Sequence, residues 1–233
     1  MSSEKNRVFF EALARHSLPG DFWRQVGRTV DGVPVDETQI AMTVAAIRRG
    51  LDLQAGDVVL DLGCGNGALS RRVFDGCAGG VGVDFSERMV ATAQANFEDP
   101  PRVEFACDEV ERYVWAASEP ERFTKGLCFF AFQYLAPSSA QAVLRGLRAR
   151  FTSLDAFFVG DVPDKSRMPD SFYRGAYRPE PSDFESPFGV WRAPSEFVEL
   201  AQRTGWNAEI QVMDAAYHAA HIRYNAVLRP AES

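Results

Sequence analysis

The chain has little cysteine, little histidine and no strongly basic stretch. Its 233 residues include four cysteines, Cys64, Cys77, Cys107 and Cys128, none in a C-x-x-C pair and none beside a cluster of histidines. That spacing offers neither a zinc set nor a disulfide framework, and free thiols suit a reducing compartment. Lys and Arg number 25 against 32 Asp and Glu, for a formal net charge of -7. A phosphate-backbone partner wants a basic face, so nucleic acid is not the expected partner. No apolar run is long enough to span a bilayer, and the N-terminal Met1-Ser2-Ser3-Glu4-Lys5-Asn6 lacks the apolar core of a secretion signal. These absences point to a cytoplasmic protein with no resident metal. What remains, 46% hydrophobic and 24% charged, is an ordinary globular composition in a chain long enough for one large core.

What is present concentrates in Val58 to Ser70. Val58, Val59 and Leu60 read as a buried strand. Gly63, Gly65 and Gly67 follow, allowing a tight turn and close approach of the backbone to a ligand. A helix opening near Asn66 would aim its free N–H groups at whatever the loop holds. Gly63, Gly65 and Ala68 also fit the dinucleotide pattern G-x-G-x-x-A. Asp61, two residues before the first glycine, separates the readings. Its carboxylate would repel a diphosphate and suit a ligand with a positive amino group and no phosphate. S-adenosylmethionine, with its α-ammonium, sulfonium and adenosine, is such a ligand. A second acidic residue, Asp84, ends the strand-like Val81-Gly82-Val83 about twenty residues after the loop, the spacing at which a carboxylate meets ribose hydroxyls. Ser86 is placed to cap the helix that follows.

The loop Asp61-Leu62-Gly63-Cys64-Gly65-Asn66-Gly67 resembles the first motif of the class I S-adenosylmethionine-dependent methyltransferases. Val81-Gly82-Val83-Asp84-Phe85-Ser86 resembles their second. The resemblance covers residues 36 to 160 well and the two ends less firmly. It implies a seven-stranded Rossmann-like sheet, mostly parallel with a reversed last strand, with helices on both faces, an N-terminal helical cap and an inserted lid. It further implies methyl transfer from S-adenosylmethionine, leaving S-adenosylhomocysteine.

The chain order agrees with that layout. A helical pattern over residues 4 to 16 puts Val8, Phe9, Ala12 and Leu13 on one side. Residues 21 to 34 are aromatic, polar and glycine-punctuated, and stand where such enzymes carry a cofactor-covering cap (residues 1 to 35). Asp36 is an N-cap for a helix to about Arg49. Strands follow at 58–60, 81–84, 103–107, 127–132 and 156–160, alternating with helices, the pattern of a parallel sheet. Residues 161 to 194 are rich in proline and aromatics, a connection long enough to be a functional lid. Ser195 is then expected to cap a helix ended by Gly205, before strands at 206–212 and 222–228. The link between those two is too short for a parallel crossover, so one of them is reversed.

Ligands in open α/β sheets lie beyond the carboxyl ends of the strands, and that rule selects the site. Asp61, Gly63, Cys64 and Gly65 form the loop. Asp84 reads as the ribose ligand or a cap, and Phe85 and Met89 as apolar surface for the adenine. For Asp108, with Glu109 beside it, the resemblance implies an acceptor for the adenine amino group, a helix cap being the other reading. Phe130 and Ala131 offer carbonyls to the ammonium, and Gln25 and Arg28 a grip on the carboxylate. Tyr134, His218 and His221 are the candidates for a base, a solvated loop being the other reading of both histidines. Trp23, Asp161, Tyr173, Tyr177 and Trp191 are the candidates to hold a small, partly apolar acceptor. No Asn/Asp-Pro-Pro-Tyr follows the fourth strand, so the base-amine methylation pattern is missing. A non-catalytic S-adenosylmethionine-binding protein and an NAD(P)-dependent oxidoreductase remain the alternatives.

Overall fold

The computed structural model describes residues 4–171 and 179–232. Seven strands form one sheet: β1 Val58–Leu62, β2 Gly79–Asp84, β3 Val103–Cys107, β4 Lys125–Phe129, β5 Ala156–Pro163, β6 Trp206–Val212 and β7 Arg223–Pro230. Their spatial order is β3-β2-β1-β4-β5-β7-β6. The first five are mutually parallel, and β7 runs antiparallel to both β5 and β6. This is the mostly parallel sheet with a reversed last strand expected from the sequence.

Burial explains the run-like strand sequences. Every residue of β2, β4 and β5 is buried, so both faces of the central sheet are covered and no polar alternation survives. Helices α1 Glu4–His16, α2 Phe22–Gln25, α3 Glu37–Leu51, α4 Ala68–Phe74, α5 Glu87–Phe97, α6 Val110–Ala116, α7 Pro137–Arg150 and α8 Pro194–Arg203 accompany the sheet. Two cores result. One gathers Leu60, Val143, Leu147, Phe197 and Trp206, the other Ile47, Val59, Val73, Val90 and Phe158. The Trp206 indole N–H, buried with its ring, donates to the Leu144 carbonyl at 2.9 Å, so the largest core side chain leaves no polar atom unpaired.

Helix α3 shows how local chemistry sets a boundary. The Asp36 carboxylate accepts from the Gln39 N–H at 2.9 Å, and Ile40, Thr43 and Ile47 recur on the buried face at helical spacing. Ser86 caps α5 in the same way, accepting from the Met89 N–H at 3.2 Å.

Several elements differ from the sequence-based expectation. In α1 the buried face is Asn6 with Phe10, whereas Val8 and Phe9 are 59% and 46% exposed. The helix packs on a mixed surface, so its apolar residues do not mark its inner side. Residues 29–34 form a small hairpin, Val30 pairing with Val33 around Asp31-Gly32, both with positive φ. Asp-Gly is the turn signal that hairpins of this kind use. Helix α6 has no counterpart in the expectation. Helix α8 starts at Pro194, with Ala193 as its cap and the Glu196 carboxylate accepting the Ala193 N–H at 2.9 Å. Ser195 therefore lies inside the first turn, because proline at the first helical position fixes the start one residue earlier. Strand β5 runs on to Pro163, since β7 pairs with it that far.

Candidate active site

The glycine loop leaves β1 and enters α4 with Gly63, Gly65 and Gly67 at φ of +81°, +57° and +77°. All three positions are also closed to a side chain, Gly67 by Ala93 and Phe105, each 2.8 Å from where its Cβ would stand. A Cβ on Gly63 would come 2.4 Å from the Ala131 Cβ, and one on Gly65 2.8 Å from Val26 Cγ1. The loop is thus pressed between the turn after β4 and the N-terminal segment. Asn66 stitches that segment down: its amide donates to the Phe22 carbonyl at 2.8 Å and to Gln25 Oε1 at 2.9 Å.

A cleft opens over this loop, lined mainly by apolar and aromatic side chains with a few polar groups among them. Of the residues selected from sequence, Trp23, Arg28, Asp61, Gly63, Cys64, Gly65, Asp84, Phe85, Met89, Phe130, Ala131 and Tyr134 line it. Asn6, Phe10, Val26, Asn66, Leu69, Val110, Phe129 and Leu135 line it as well and were not anticipated. Asn6 and Phe10 are four apart on α1, so the helix period carries the signal once its buried face is known. Val110 is the first residue of α6 and follows directly on the predicted Asp108-Glu109.

Asp61 is 2% exposed and accepts a hydrogen bond from Ser70 Oγ at 2.6 Å. Burial pushes its carboxyl up to about 7, against the pull of the Ser70 hydroxyl and the nearby Arg28. Arg28 stacks over the Phe129 ring at 4.5 Å, and burial lowers its pKa. Asp84 Oδ2 accepts from the Gly65 N–H at 2.9 Å and Oδ1 from the Ser86 N–H at 3.0 Å. One carboxylate therefore fixes the loop and the start of α5 together, and burial raises its pKa despite these bonds. Both oxygens keep a lone pair for ribose hydroxyls. The Cys64 thiol is pushed well up by burial and by Asp84 and Asp61, which leaves it unreactive.

Other candidates stand elsewhere. Gln25 is buried against Asn66, and its own amide donates to the Leu18 carbonyl at 3.2 Å, so it ties the cap to the loop. Asp108 and Glu109 pair with Arg112 and Arg7 and face an outer groove on the far side of Phe85. The Phe130 carbonyl accepts from Gln133 at 3.3 Å and the Ala131 carbonyl from the Tyr134 N–H at 3.0 Å. Trp191 is 3% exposed and lines a separate hollow with Lys165 and Arg192. His218 and His221 sit on the link between β6 and β7, outside the cleft lining. The His218 ring faces Gln39 Oε1 at 3.2 Å, and partial desolvation lowers its pKa. Asp161 ends buried beside Arg223 at 3.8 Å. Tyr173 and Tyr177 lie outside the described residues.

Tyr134 is in the cleft, but only its ring is available. Its hydroxyl donates to the Pro187 carbonyl at 2.9 Å, and burial pushes its pKa up to about 12. The ring meets Phe10 edge-on at 5.1 Å, and Asn6 reaches the Phe184 carbonyl at 2.7 Å. The 179–193 segment is thereby laced to both α1 and the turn after β4. Tyr134→Phe should cost about 1 kcal/mol of stability and leave S-adenosylmethionine affinity within about twofold. Urea unfolding and calorimetry check this, and a tenfold loss of affinity would return the hydroxyl to the binding site.

No curated protein matches the chain in sequence. Residues 59–152, the span from β1 through α7, match the methyltransferase domain family. Among solved structures, the chain is similar to Burkholderia thailandensis 1,6-didemethyltoxoflavin-N1-methyltransferase, at 19% identity and a TM-score of 0.65, over 98% of this chain and 88% of the other. It is similar to DhpI, solved with S-adenosylhomocysteine, at 15% identity and a TM-score of 0.65, over 99% and 97%. It is also similar to the magnesium protoporphyrin IX methyltransferase of Synechocystis PCC 6803, at 14% identity and a TM-score of 0.59, over 98% and 95%. At these identities the likeness establishes the fold, and the family match identifies a methyltransferase domain over residues 59–152. The acidic glycine loop, the second carboxylate at the end of β2 and the reversed last strand fall together in a chain that carries a methyltransferase domain over residues 59–152 and has the fold of S-adenosylmethionine-dependent methyltransferases.

Proposed function

We propose that the enzyme methylates an oxygen or nitrogen atom of a compact, partly apolar small molecule, in secondary metabolism and in the cytoplasm. The observation that carries this reading is the cleft itself. Two carboxylates, Asp61 and Asp84, flank a glycine loop with no basic residue on it, and aromatic side chains from the cap, the turn after β4 and β2's end close around them. In this reading Asp61 offsets the cofactor's positive charge and Arg28 grips its carboxylate. Asp84 takes the ribose, and Phe85 with Met89 covers the adenine. Two of the similar structures are named for small-molecule acceptors, a didemethyltoxoflavin and a magnesium protoporphyrin. The net charge of -7 supports an acceptor other than nucleic acid, and the four free cysteines accord with the cytoplasm.

Methyl transfer is an in-line displacement at sulfonium. The protein's task is to hold the acceptor atom about 3 Å from the methyl carbon and to exclude water. A base is required only when the attacking atom still carries its proton at working pH. One observation favours a second reading, a protein that binds S-adenosylmethionine without turning it over. The Tyr134 hydroxyl is engaged by the backbone, and both histidines lie outside the cleft.

Calorimetric titration with S-adenosylmethionine, S-adenosylhomocysteine and NADH tests the binding part. The first two should bind and NADH should not; NADH binding alone would sink the reading. Mass-spectrometric search for a methylated product among small phenols, amines and heteroaromatics separates enzyme from binding protein.

A further inference from the structure

Asp161 carries more constraint than a strand end requires. Its φ is +62°, a region few residues other than glycine enter, at a bulge where the β5–β7 register shifts between Val159 and Val162. Phe130, at the matching end of β4, has φ of +57° and donates its N–H to the Gly160 carbonyl at 3.1 Å. The backbone of Asp161 is clamped on both sides. Its N–H donates to Asn225 Oδ1 at 3.0 Å, and Arg223 Nη1 donates to its carbonyl at 2.6 Å. The side chain is treated differently. It is 5% exposed, Oδ2 stands 3.8 Å from Arg223, and Oδ1 has no hydrogen-bond partner among the described residues. A buried carboxylate oxygen left unmatched destabilises the fold, and strain collects where a ligand will use it.

The position of Asp161 gives the ligand. Arg223, which clamps it, lies 5.1 Å above the Phe130 ring, a wall of the cofactor cleft. Asn225, its other clamp, lines a second hollow with Thr43, Met213 and Tyr217, and Phe129 is common to both hollows. Asp161, at the carboxyl end of β5, is thus held between a residue that stacks on the wall of the first hollow and a residue that lines the second. The link carrying Tyr217, which walls the second hollow, is tied to α3 by Gln39, which donates to the Ala216 carbonyl and accepts from the His218 N–H, both at 2.9 Å.

We propose that Asp161 Oδ1 receives the N–H or O–H of the methyl acceptor, and that the second hollow takes the acceptor's apolar body. This rests on the methyltransferase reading. Asp161 already faces Arg223, so the pair is neutral in sum and selects a neutral protic group over an ion. In the transfer the acceptor's lone pair forms the bond to the methyl carbon. The S–CH3 bond breaks with its electron pair going to sulfur, which leaves as neutral S-adenosylhomocysteine. The acceptor's proton passes to the Asp161 carboxylate and then to water.

The test uses phenol and indole, with anisole and N-methylindole as their blocked counterparts. Each is titrated into protein saturated with S-adenosylhomocysteine and followed by ligand-detected NMR. Each protic probe should bind the native protein about fivefold or more tighter than its counterpart. Asp161→Gly tolerates the positive φ and should abolish the difference. Asp161→Asn, which keeps an acceptor oxygen, should retain part of it. Equal affinities within each pair, binding of no probe, or a difference that survives Asp161→Gly would overturn the proposal. Failure to take up S-adenosylhomocysteine would instead remove the methyltransferase reading, and this inference with it.

Discussion

Asp84→Ala should bind S-adenosylmethionine roughly a hundredfold more weakly than the native chain. The size of the loss follows from how many groups one carboxylate serves. It accepts from the Gly65 N–H and the Ser86 N–H, so removing it frees the loop and the start of α5 at once. It also removes the expected bonds to two ribose hydroxyls, and hydrogen bonds to a charged acceptor are each worth about 1.5–3 kcal/mol. Asp84→Asn separates the two effects. Its amide keeps one acceptor oxygen, so part of the loop geometry survives while charge is lost. Calorimetry on both variants decides the matter. An Asp84→Ala protein that binds within fivefold of native would remove Asp84 from the cofactor site.

The second large effect is expected at Asp61, with opposite signs for stability and binding. The Asp61 carboxyl titrates near 7 in the folded chain, against about 3.9 in an unfolded one. Between those values the folded state holds a proton that the unfolded state has lost, so stability falls as pH rises from about 4 to about 7 and is level above. At pH 8 the ionised, buried carboxylate destabilises the cofactor-free protein by something on the order of 1–4 kcal/mol. Asp61→Asn removes the charge and keeps an acceptor for Ser70 Oγ. The variant should therefore unfold at higher urea than the native chain at pH 8, with a difference about a third as large at pH 5 and little below pH 4. Its affinity for S-adenosylmethionine should fall by about tenfold or more at pH 8, because the cofactor's positive charge loses its partner. Native affinity should itself weaken as pH drops below about 7, while the variant's stays flat. A variant that is less stable at pH 8, or one that binds as tightly as native, would contradict this account of the loop.

The site was unevenly legible. Asp61, Asp84 and the glycines stand within 24 residues of one another, and their meaning rests on chain-local facts: a strand end, positive φ and a carboxylate next to it. Asp36 and Ser86 were legible as caps for the same reason, since a cap is a bond to a backbone group a few residues away. Tyr134 and Gln25 show the opposite case. Both residue types suit a ligand, and both positions are close to it, but their polar atoms are claimed by Pro187, Leu18 and Asn66, partners from remote parts of the chain or of the cap. Asp108 and Glu109 likewise belong to Arg112 and Arg7.

The sequence by itself determined the alternation of strands and helices, the reversed strand forced by the short link after β6, and the cofactor class set by the acid ahead of the glycines. These depend on periodicity, turn length and local charge, which a chain carries before it folds. Only the tertiary structure decided that α1 turns Asn6 and Phe10 inward, that the Tyr134 hydroxyl is engaged, and that Asp161 is held in a strained conformation with one oxygen unmatched between Arg223 and Asn225. Those are matters of which distant groups meet, and of which polar atom is left over once they have.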